Sequence, residues 1–559
     1  MIKNEEIKKF VEDSKKLIKL SLIISIIINL ISLTPVVYMK NIYGPVVNSS
    51  SVHTLSVVTL VLVAMLILSG IFEWIRFEIL KIISENFTER FSRRIYETSF
   101  KLYLSDRDSS SRRLVQEVKV IRAFITSPVF TALLDAPLGL MFLFIVIYIH
   151  PQMGVASVLM ALIMITISWR NERKIKPITE ESNDLNIQSQ LYIADSVSNA
   201  QSVQAMGMID NLKYRWQQKY YKYNQKISII NEVQINSVST TKFIMLLQGS
   251  LIIGVGCLLT LEGSLPPGGG SMIIASILGG KAIQPMMRLI SGWRQLFSVK
   301  EAYENINNAL EKNTLEKNLM RLPTPEGKIE VENLIARPPG TKKPIINGMN
   351  FTLKQGRSLA IIGESGSGKS TLTKLLVGVW RPLSGAVRLD GADIYNWPKN
   401  ELGKFLGYLP QEIELIEGTI LENICRFGIE DQKQAENAAK LIGIDEYIKS
   451  LKEGYLTKVN EEDGIFSGGQ LQKIALARAI YGDPQLVVLD EPNSNLDKKG
   501  ELDLYKTLDY LKSKGTTVVV VTHRPQILKH VDRILLVSDG KPKIYGPRDL
   551  VLQKITNNN

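Results

Sequence analysis

The chain has 559 residues, a net charge of +12, 45% hydrophobic residues and two cysteines, Cys257 and Cys425. Two cysteines exclude a disulfide framework and a CxxC metal site and fit a reducing cytosolic face. The length suggests about two to four domains, and the near-zero mean hydropathy of +0.05 averages an apolar N-terminal half with a soluble C-terminal one.

The charge is read by position rather than by sum. Lys and Arg crowd the flanks of the apolar runs, with eleven Lys/Arg against seven Asp/Glu between residues 76 and 128. No basic cluster is read as alternating with aromatics in the way a single-strand groove requires, so no nucleic-acid partner is expected. Residues 1–19 read as a charged amphipathic helix, too long and acidic for the n-region of a cleaved signal. They are expected to lie along a membrane interface as an elbow into the first span.

A membrane-crossing helix needs about 20 mostly apolar residues. Residues 20–39, 55–75, 128–149, 151–169, 243–261 and 271–291 meet that need, the last interrupted by Lys281 and Arg288. His150-Pro151 marks a tight turn between the third and fourth. The connection 40–54 holds one Lys and the connection 262–270 none, whereas segments 76–127 and 169–242 are long and basic. By the positive-inside bias, those segments and both termini are expected in the cytoplasm. Their length implies helices running on beyond the bilayer, by roughly 35 Å for two dozen residues. Residues 105–113 and 201–211 are candidate turns between such extensions. They read either as short coupling helices or as ordinary connections. Asp135, Gln248, Lys281 and Gln284 fall inside spans, where polar groups are costly. They read as lining a hydrophilic lumen, with an interfacial position for Asp135 and Lys281 as the alternative.

The helical region is expected to span 20–320, followed by a Pro/Gly-bearing linker at 321–329 and a soluble domain over 330–559. In that domain β-branched runs alternate with helical stretches, the pattern of βα units. GESGSGKS, from Gly363 to Ser370, follows an apolar strand and opens a helix, as a phosphate-cradling loop requires. Gly363, Glu364, Ser365, Gly366, Ser367, Gly368, Lys369, Ser370 and Thr371 are therefore candidate ATP contacts. Glycines let backbone N–H groups close on phosphate oxygens at a helix N-terminus. Lys369 suits the β/γ-phosphates and the Ser370 hydroxyl suits Mg²⁺. LVVLDEP, from Leu486 to Pro492, ends a buried strand in two acids. Asp490 is the candidate Mg²⁺ ligand and Glu491 the residue that orients or polarises the attacking water.

FSGGQLQKIALARAI, from Phe466 to Ile480, resembles the signature of the ATP-binding cassette (ABC) family, with Phe466 where leucine is usual. The resemblance implies that Ser467, Gly468, Gly469 and Gln470 bind the γ-phosphate of ATP held by an opposite subunit. It further implies Gln411 as the Q-loop glutamine that contacts Mg²⁺ or water, Asn495-Leu496-Asp497 as the D-loop and His523 as the switch histidine. The aromatic that usually stacks on adenine is replaced by Pro338, with Arg337 beside it. The implied fold is a six-helix transmembrane domain of the type I ABC exporter kind followed by an α/β P-loop nucleotide-binding domain.

One P-loop and one signature in one chain imply a homodimer with two equivalent ATP sites. Residues 124–143, 375–397, 406–428 and 490–497 resemble the PrtD-type transporters of type I secretion. That likeness implies export of unfolded polypeptides bearing an uncleaved C-terminal signal across the bacterial inner membrane. It also implies a periplasmic adaptor (membrane fusion protein) and a TolC-like outer-membrane channel as partners, besides membrane lipids. No peptidase-like domain is expected ahead of a first span near residue 20. The competing readings are an exporter of lipids, peptides or drugs and a membrane-anchored ATPase that regulates without transport. A soluble ABC protein is excluded by five clear spans.

Overall fold

The computed structural model describes residues 5–106, 113–265, 270–312, 322–459 and 466–557. Most of the turn expected at 105–113, part of the 262–270 connection and the first linker residue lie outside the described residues. The chain divides into two compact units, one helical and one α/β.

The helices of the first unit are α1 (Glu5–Asp13), α2 (Lys15–Ile31), α3 (Thr34–Asn41), α4 (Val47–Ser49), α5 (Val52–Asp106), α6 (Leu114–Ile125), α7 (Pro128–Ile149), α8 (Pro151–Ser198), α9 (Ala200–Ala205), α10 (Ile209–Leu261), α11 (Gly270–Ser291) and α12 (Trp293–Lys312). Among the described residues, six stretches are long and apolar enough to cross a membrane: Lys15–Asn41, Val52–Ser105, Pro128–Ile149, Pro151–Ser198, Ile209–Leu261 and Gly270–Ser291. At 1.5 Å per residue α5 is about 80 Å long, against a hydrocarbon core of about 30 Å. The apolar window of α5 buries none of its residues, which leaves that face to lipid.

Local chemistry sets the breaks. Pro35 sits in the first turn of α3, where a missing N–H costs nothing. His150 is extended and caps α8 by accepting from Gln152 N, with Pro151 at the first helical position. Between α11 and α12, a Cβ on Gly292 would fall 2.0 Å from Val129 Cγ2, so no other residue fits there without movement. The apolar core gathers Phe142 and Val146 of α7, Met153 of α8, Ile252 and Leu259 of α10, and Leu278 and Ala282 of α11.

Two expectations meet a different outcome, and a third gains a contact that sequence does not show. First, α1, expected as an elbow, packs one face on protein: Phe10 meets Phe87 and Phe91 of α5 edge-on at 5.5 and 5.8 Å. Asp13 and Glu6 pair with Arg90 and Arg94 at 2.8 and 3.3 Å. The aromatic side of the elbow is thus buried against α5 beyond the apolar window, a contact that spacing within residues 1–19 does not reveal. Second, residues 213–226 of α10 do interleave Lys and Arg with Tyr and Trp. Several of these side chains join α10 to α8. Trp216 stacks on Tyr220 at 4.9 Å and donates to Ser189 Oγ, and Lys219 lies over Tyr192.

Third, Asp135 does not face an open lumen. It is buried, accepts from Arg76 Nη1 at 3.1 Å and from Asn29 Nδ2 at 3.2 Å. Arg76 is 1% exposed and also donates to Ser25 Oγ and Glu73 Oε1. A charge in an apolar bundle is retained when paired and hydrogen-bonded, and this network ties α2, α5 and α7 together. Gln248 is buried with neither amide atom bonded among the described residues. Gln284 lines a groove of about 340 Å³ with Thr241, Met245 and Arg288, and Lys281 is half-buried.

The α/β unit holds β1 (Ile329–Ala336), β2 (Ile346–Leu353), β3 (Ser358–Gly363), α13 (Lys369–Leu376), β4 (Ser384–Leu389), β5 (Ala392–Asp393), α14 (Lys399–Leu402), β6 (Leu406–Leu409), β7 (Gly418–Thr419), α15 (Ile420–Ile424), α16 (Gln432–Ile442), α17 (Asp445–Ser450), β8 (Lys458–Val459), α18 (Gly468–Ile480), β9 (Leu486–Asp490), α19 (Lys498–Ser513), β10 (Thr517–Val521), β11 (Arg533–Ser538), β12 (Lys541–Pro547) and α20 (Arg548–Asn557). One sheet runs β12-β11-β3-β10-β9-β6, parallel except for β12, and a second, antiparallel one runs β2-β1-β4-β5. Every residue of β9 and β10 is buried, as continuous apolar runs in a covered parallel sheet require. The register sets Val521 beside both Ile361 and Asp490. The carboxyl ends of β3, β9 and β10 therefore meet, where ligands of open α/β sheets bind.

Candidate nucleotide site

The loop from Gly363 to Gly368 leaves β3 and enters α13. A Cβ on Gly363 would fall 2.2 Å from Val537 O, so the close strand neighbour demands glycine. Gly368, at φ +100, caps α13 in a conformation side chains avoid. Lys369 is buried and folds back over the loop, donating from Nζ to Gly363 O at 3.0 Å and Glu364 O at 2.7 Å. Burial lowers its pKa, and the carboxylates of Glu491 and Asp490 oppose that shift. Ser367 Oγ is buried without a partner among the described residues, Ser365 and Gly366 are exposed, and Thr371 is buried in the first turn of α13.

Asp490 ends β9, 1% exposed. Its Oδ2 accepts from Thr373 Oγ1 at 3.1 Å, whereas Oδ1 is buried with no partner among the described residues. Burial pushes its carboxyl pKa up. Ser370 Oγ donates to Gln411 Oε1 at 3.3 Å, so Ser370, Gln411 and Asp490 form one oxygen-rich cluster. An orphaned buried carboxylate oxygen beside a hydroxyl and an amide oxygen is a donor set that suits Mg²⁺. Glu491 follows in the left-handed region, φ +51, with its N–H donating to Val521 O at 3.0 Å. Backbone strain of this kind clusters at functional sites. The turn points its carboxylate at His523, with Oε1 and Nε2 3.3 Å apart.

The signature residues form a separate group. Ser467 caps α18 through a reciprocal capping box, accepting from Gln470 N while Gln470 Oε1 accepts from Ser467 N. Ser467 and Gly468 are exposed, and Gly469 packs against Asn495 O. Among the described residues, no hydrogen bond joins Ser467, Gly468, Gly469 or Gln470 to the Lys369 loop. Asp497 caps α19, accepting from Gly500 N at 2.8 Å. Arg337 is exposed and Pro338 half-buried, in a turn where Pro338 O accepts from Thr341 N.

Sequence reasoning missed three residues. Gln472 is fully buried, donates Nε2 to Glu491 O at 3.3 Å and accepts from Asn495 N at 2.7 Å. It thereby links the signature helix to the acid that follows β9. Its signal was its place two residues after Gln470, on the helix side facing the sheet. Thr373 holds Asp490 from α13. Tyr408, on β6, has its hydroxyl pKa pushed up to about 12 by burial and then by Asp490.

Comparison with known proteins gives the family. Residues 346–494 match the ABC transporter family and residues 18–280 the ABC transporter transmembrane region. The chain is 32% identical over 533 residues to the type I secretion system ATP-binding protein PrsD of Rhizobium meliloti, covering 95% of this chain and 91% of that one. It is 28% identical to the alpha-hemolysin translocation ATP-binding protein HlyB of Escherichia coli, covering 93% and 74%. The structure of a bacterial Atm1-family ABC exporter with ATP bound superposes with a TM-score of 0.82 at 20% identity, covering 97% and 96%, a likeness of fold. The chain belongs to the ABC transporters, among relatives named for type I secretion, and is a multi-pass membrane protein that binds ATP and couples its hydrolysis to transport.

Proposed function

We propose that this chain works as a homodimer that exports unfolded polypeptides across a bacterial inner membrane, its ATPase domains in the cytoplasm. The observation that carries the substrate class is the match along nearly the whole of both chains to a type I secretion protein. The basic connections 76–127 and 169–242 support the orientation. A periplasmic adaptor and an outer-membrane channel of the TolC kind complete the route to the exterior.

In this reading each ATP lies between the Gly363–Thr371 loop of one protomer and Ser467 of the partner subunit. The exposed N-terminus of α18 supports it, because Ser467 and Gly468 make no hydrogen bond to their own Lys369 loop among the described residues. Lys369 exchanges its two carbonyl acceptors for β- and γ-phosphate oxygens. Ser370, Gln411 and Asp490 hold Mg²⁺, which neutralises phosphate charge when bound. Glu491 orients and polarises the attacking water, and His523 steadies the carboxylate and the γ-phosphate side. Asp497 positions the D-loop through its cap on α19. Helix α9 buries none of its residues and serves as one coupling helix, relaying closure of the ATPase pair to the spans.

Removing the buried charge at Asp490 separates stability from activity. Asp490→Asn is expected to raise the melting temperature of the nucleotide-free protein, because a buried unpaired carboxylate oxygen is costly. The same variant is expected to lose the further rise that MgATP gives the wild type, as read by thermal unfolding with and without chelator.

Proteoliposomes with outward-facing ATPase domains and substrate added outside test the export reading. ATP-dependent protection of an unfolded polypeptide carrying its C-terminal segment is expected, and its loss on deleting that segment. Turnover stimulated by lipids or drugs, with no polypeptide moved, would replace this reading by that of a small-molecule exporter.

A further inference from the structure

Arg426 has no part in the site described above, yet its side chain makes five hydrogen bonds to backbone carbonyls. It follows α15, and it and Phe427 both take left-handed backbone, φ +58 and +55. Two such residues in succession are disfavoured for L-amino acids, so the surrounding structure must hold them. The reversal sends the guanidinium inward, where all five of its N–H donors find carbonyls. Nε donates to Arg478 O at 2.9 Å, and Nη1 donates to Gly403 O at 2.7 Å and Leu406 O at 2.8 Å. Nη2 donates to Ala479 O at 3.1 Å and Tyr481 O at 3.0 Å.

These five acceptors belong to two pieces of chain. Arg478, Ala479 and Tyr481 lie at the C-terminal end of α18, where carbonyls lack helical partners and carry the negative end of the dipole. Gly403 ends α14 and Leu406 opens β6, which delivers Gln411 two residues past its end. A second guanidinium works at the same junction: Arg478 Nη2 donates to Glu414 O at 3.1 Å, within the stretch after Gln411. Only an arginine fork spans such a set, since a lysine offers three donors from one nitrogen. From this clamp α18 runs as a rigid rod of about 20 Å to Ser467 at its other end.

We infer that Arg426 is a positioning residue that locks α18 to β6, so that Gln411 and Ser467 move as one body. The inference rests on the site reading above, in which Gln411 serves the protomer's own nucleotide and Ser467 the partner's. The lock then makes each site sense the other.

A double-mutant cycle on the full-length protein in nanodiscs tests this. Arg426→Lys is expected to lower kcat for ATP by about tenfold to a hundredfold, the effect of misplacing an active group by about an ångström. KM for ATP is expected to stay within about twofold, since the protomer's own loop is untouched. In a Ser467→Ala background the same change is expected to cost less than about twofold, because the group it positions is already gone. Losses that multiply, or an unchanged kcat, would overturn the lock. Full turnover by Ser467→Ala alone would instead overturn the site reading, whatever Arg426→Lys does. Should Arg426→Lys not yield folded protein, Arg478→Lys loosens the same junction through Glu414 and is expected to show the same non-additivity.

Discussion

Glu491→Gln is expected to reduce ATP turnover by about 10²- to 10⁴-fold, the range over which a positioned acid–base group acts, while ATP still binds. The side chain lies where β9 and β10 end side by side, and its backbone is bent into the left-handed region while its N–H bonds Val521 O. That bend aims the carboxylate out of the sheet toward His523. Glutamine keeps the size and one oxygen but cannot take a proton from water. The Lys369 loop, Ser370 and Asp490 are unaffected, so nucleotide affinity is retained. ATP-bound dimers are therefore expected to accumulate, as seen by a shift to the dimer on size exclusion and by retained, unhydrolysed nucleotide. Turnover within about threefold of wild type, well outside that range, would remove Glu491 from its assigned role.

Asp135→Ala is expected to destabilise the helical unit by about 3–5 kcal/mol, because it leaves Arg76 buried without its counter-ion. Arg76 is the largest fully buried side chain in the described residues. Its remaining partners are Ser25 Oγ and Glu73 Oε1, of which Glu73 is half-exposed. In lipid the unpaired charge is at least as costly. Asp135→Asn is expected to fall between the two, because an amide oxygen still accepts from Arg76. The double variant Arg76→Met/Asp135→Leu is expected to recover most of the loss, since apolar replacement of a buried pair is often neutral. Thermal unfolding in detergent, followed by the aggregated fraction, reads all three. Equal losses in Asp135→Ala and the double variant would show that packing rather than charge sets the cost.

Much of this protein was readable as a string of residues. Six apolar stretches mark six membrane helices because crossing hydrocarbon needs contiguous length. Gly363–Ser370, Leu486–Glu491 and Ser467–Gln470 stand out in sequence because a glycine-rich strand-to-helix loop, a strand-end acid pair and a helix cap are each built from neighbours in the chain. The helix starts after His150 and at Ser467 follow from capping chemistry over three or four residues, whereas the break before Pro35 falls inside a stretch read as one span.

Other features depended on partners far away in sequence, and spacing carries no record of them. A lone acid in an apolar run reads the same whether it faces water or an arginine 59 residues away, so sequence offers a lumen or an interfacial position for Asp135 when it belongs to an ion pair. That the elbow packs Phe10 against Phe87 and Phe91 of α5 is likewise absent from the spacing within residues 1–19. Gln472 and Arg426 are ordinary polar residues until the fold brings them Glu491 O and Asn495 N in one case and five carbonyls between Gly403 and Tyr481 in the other. Local sequence determined which groups exist and which helices and strands carry them. Tertiary structure alone decided which buried charges and carbonyls would meet, because that pairing is settled by the geometry of packing and the cost of leaving a polar group unpaired.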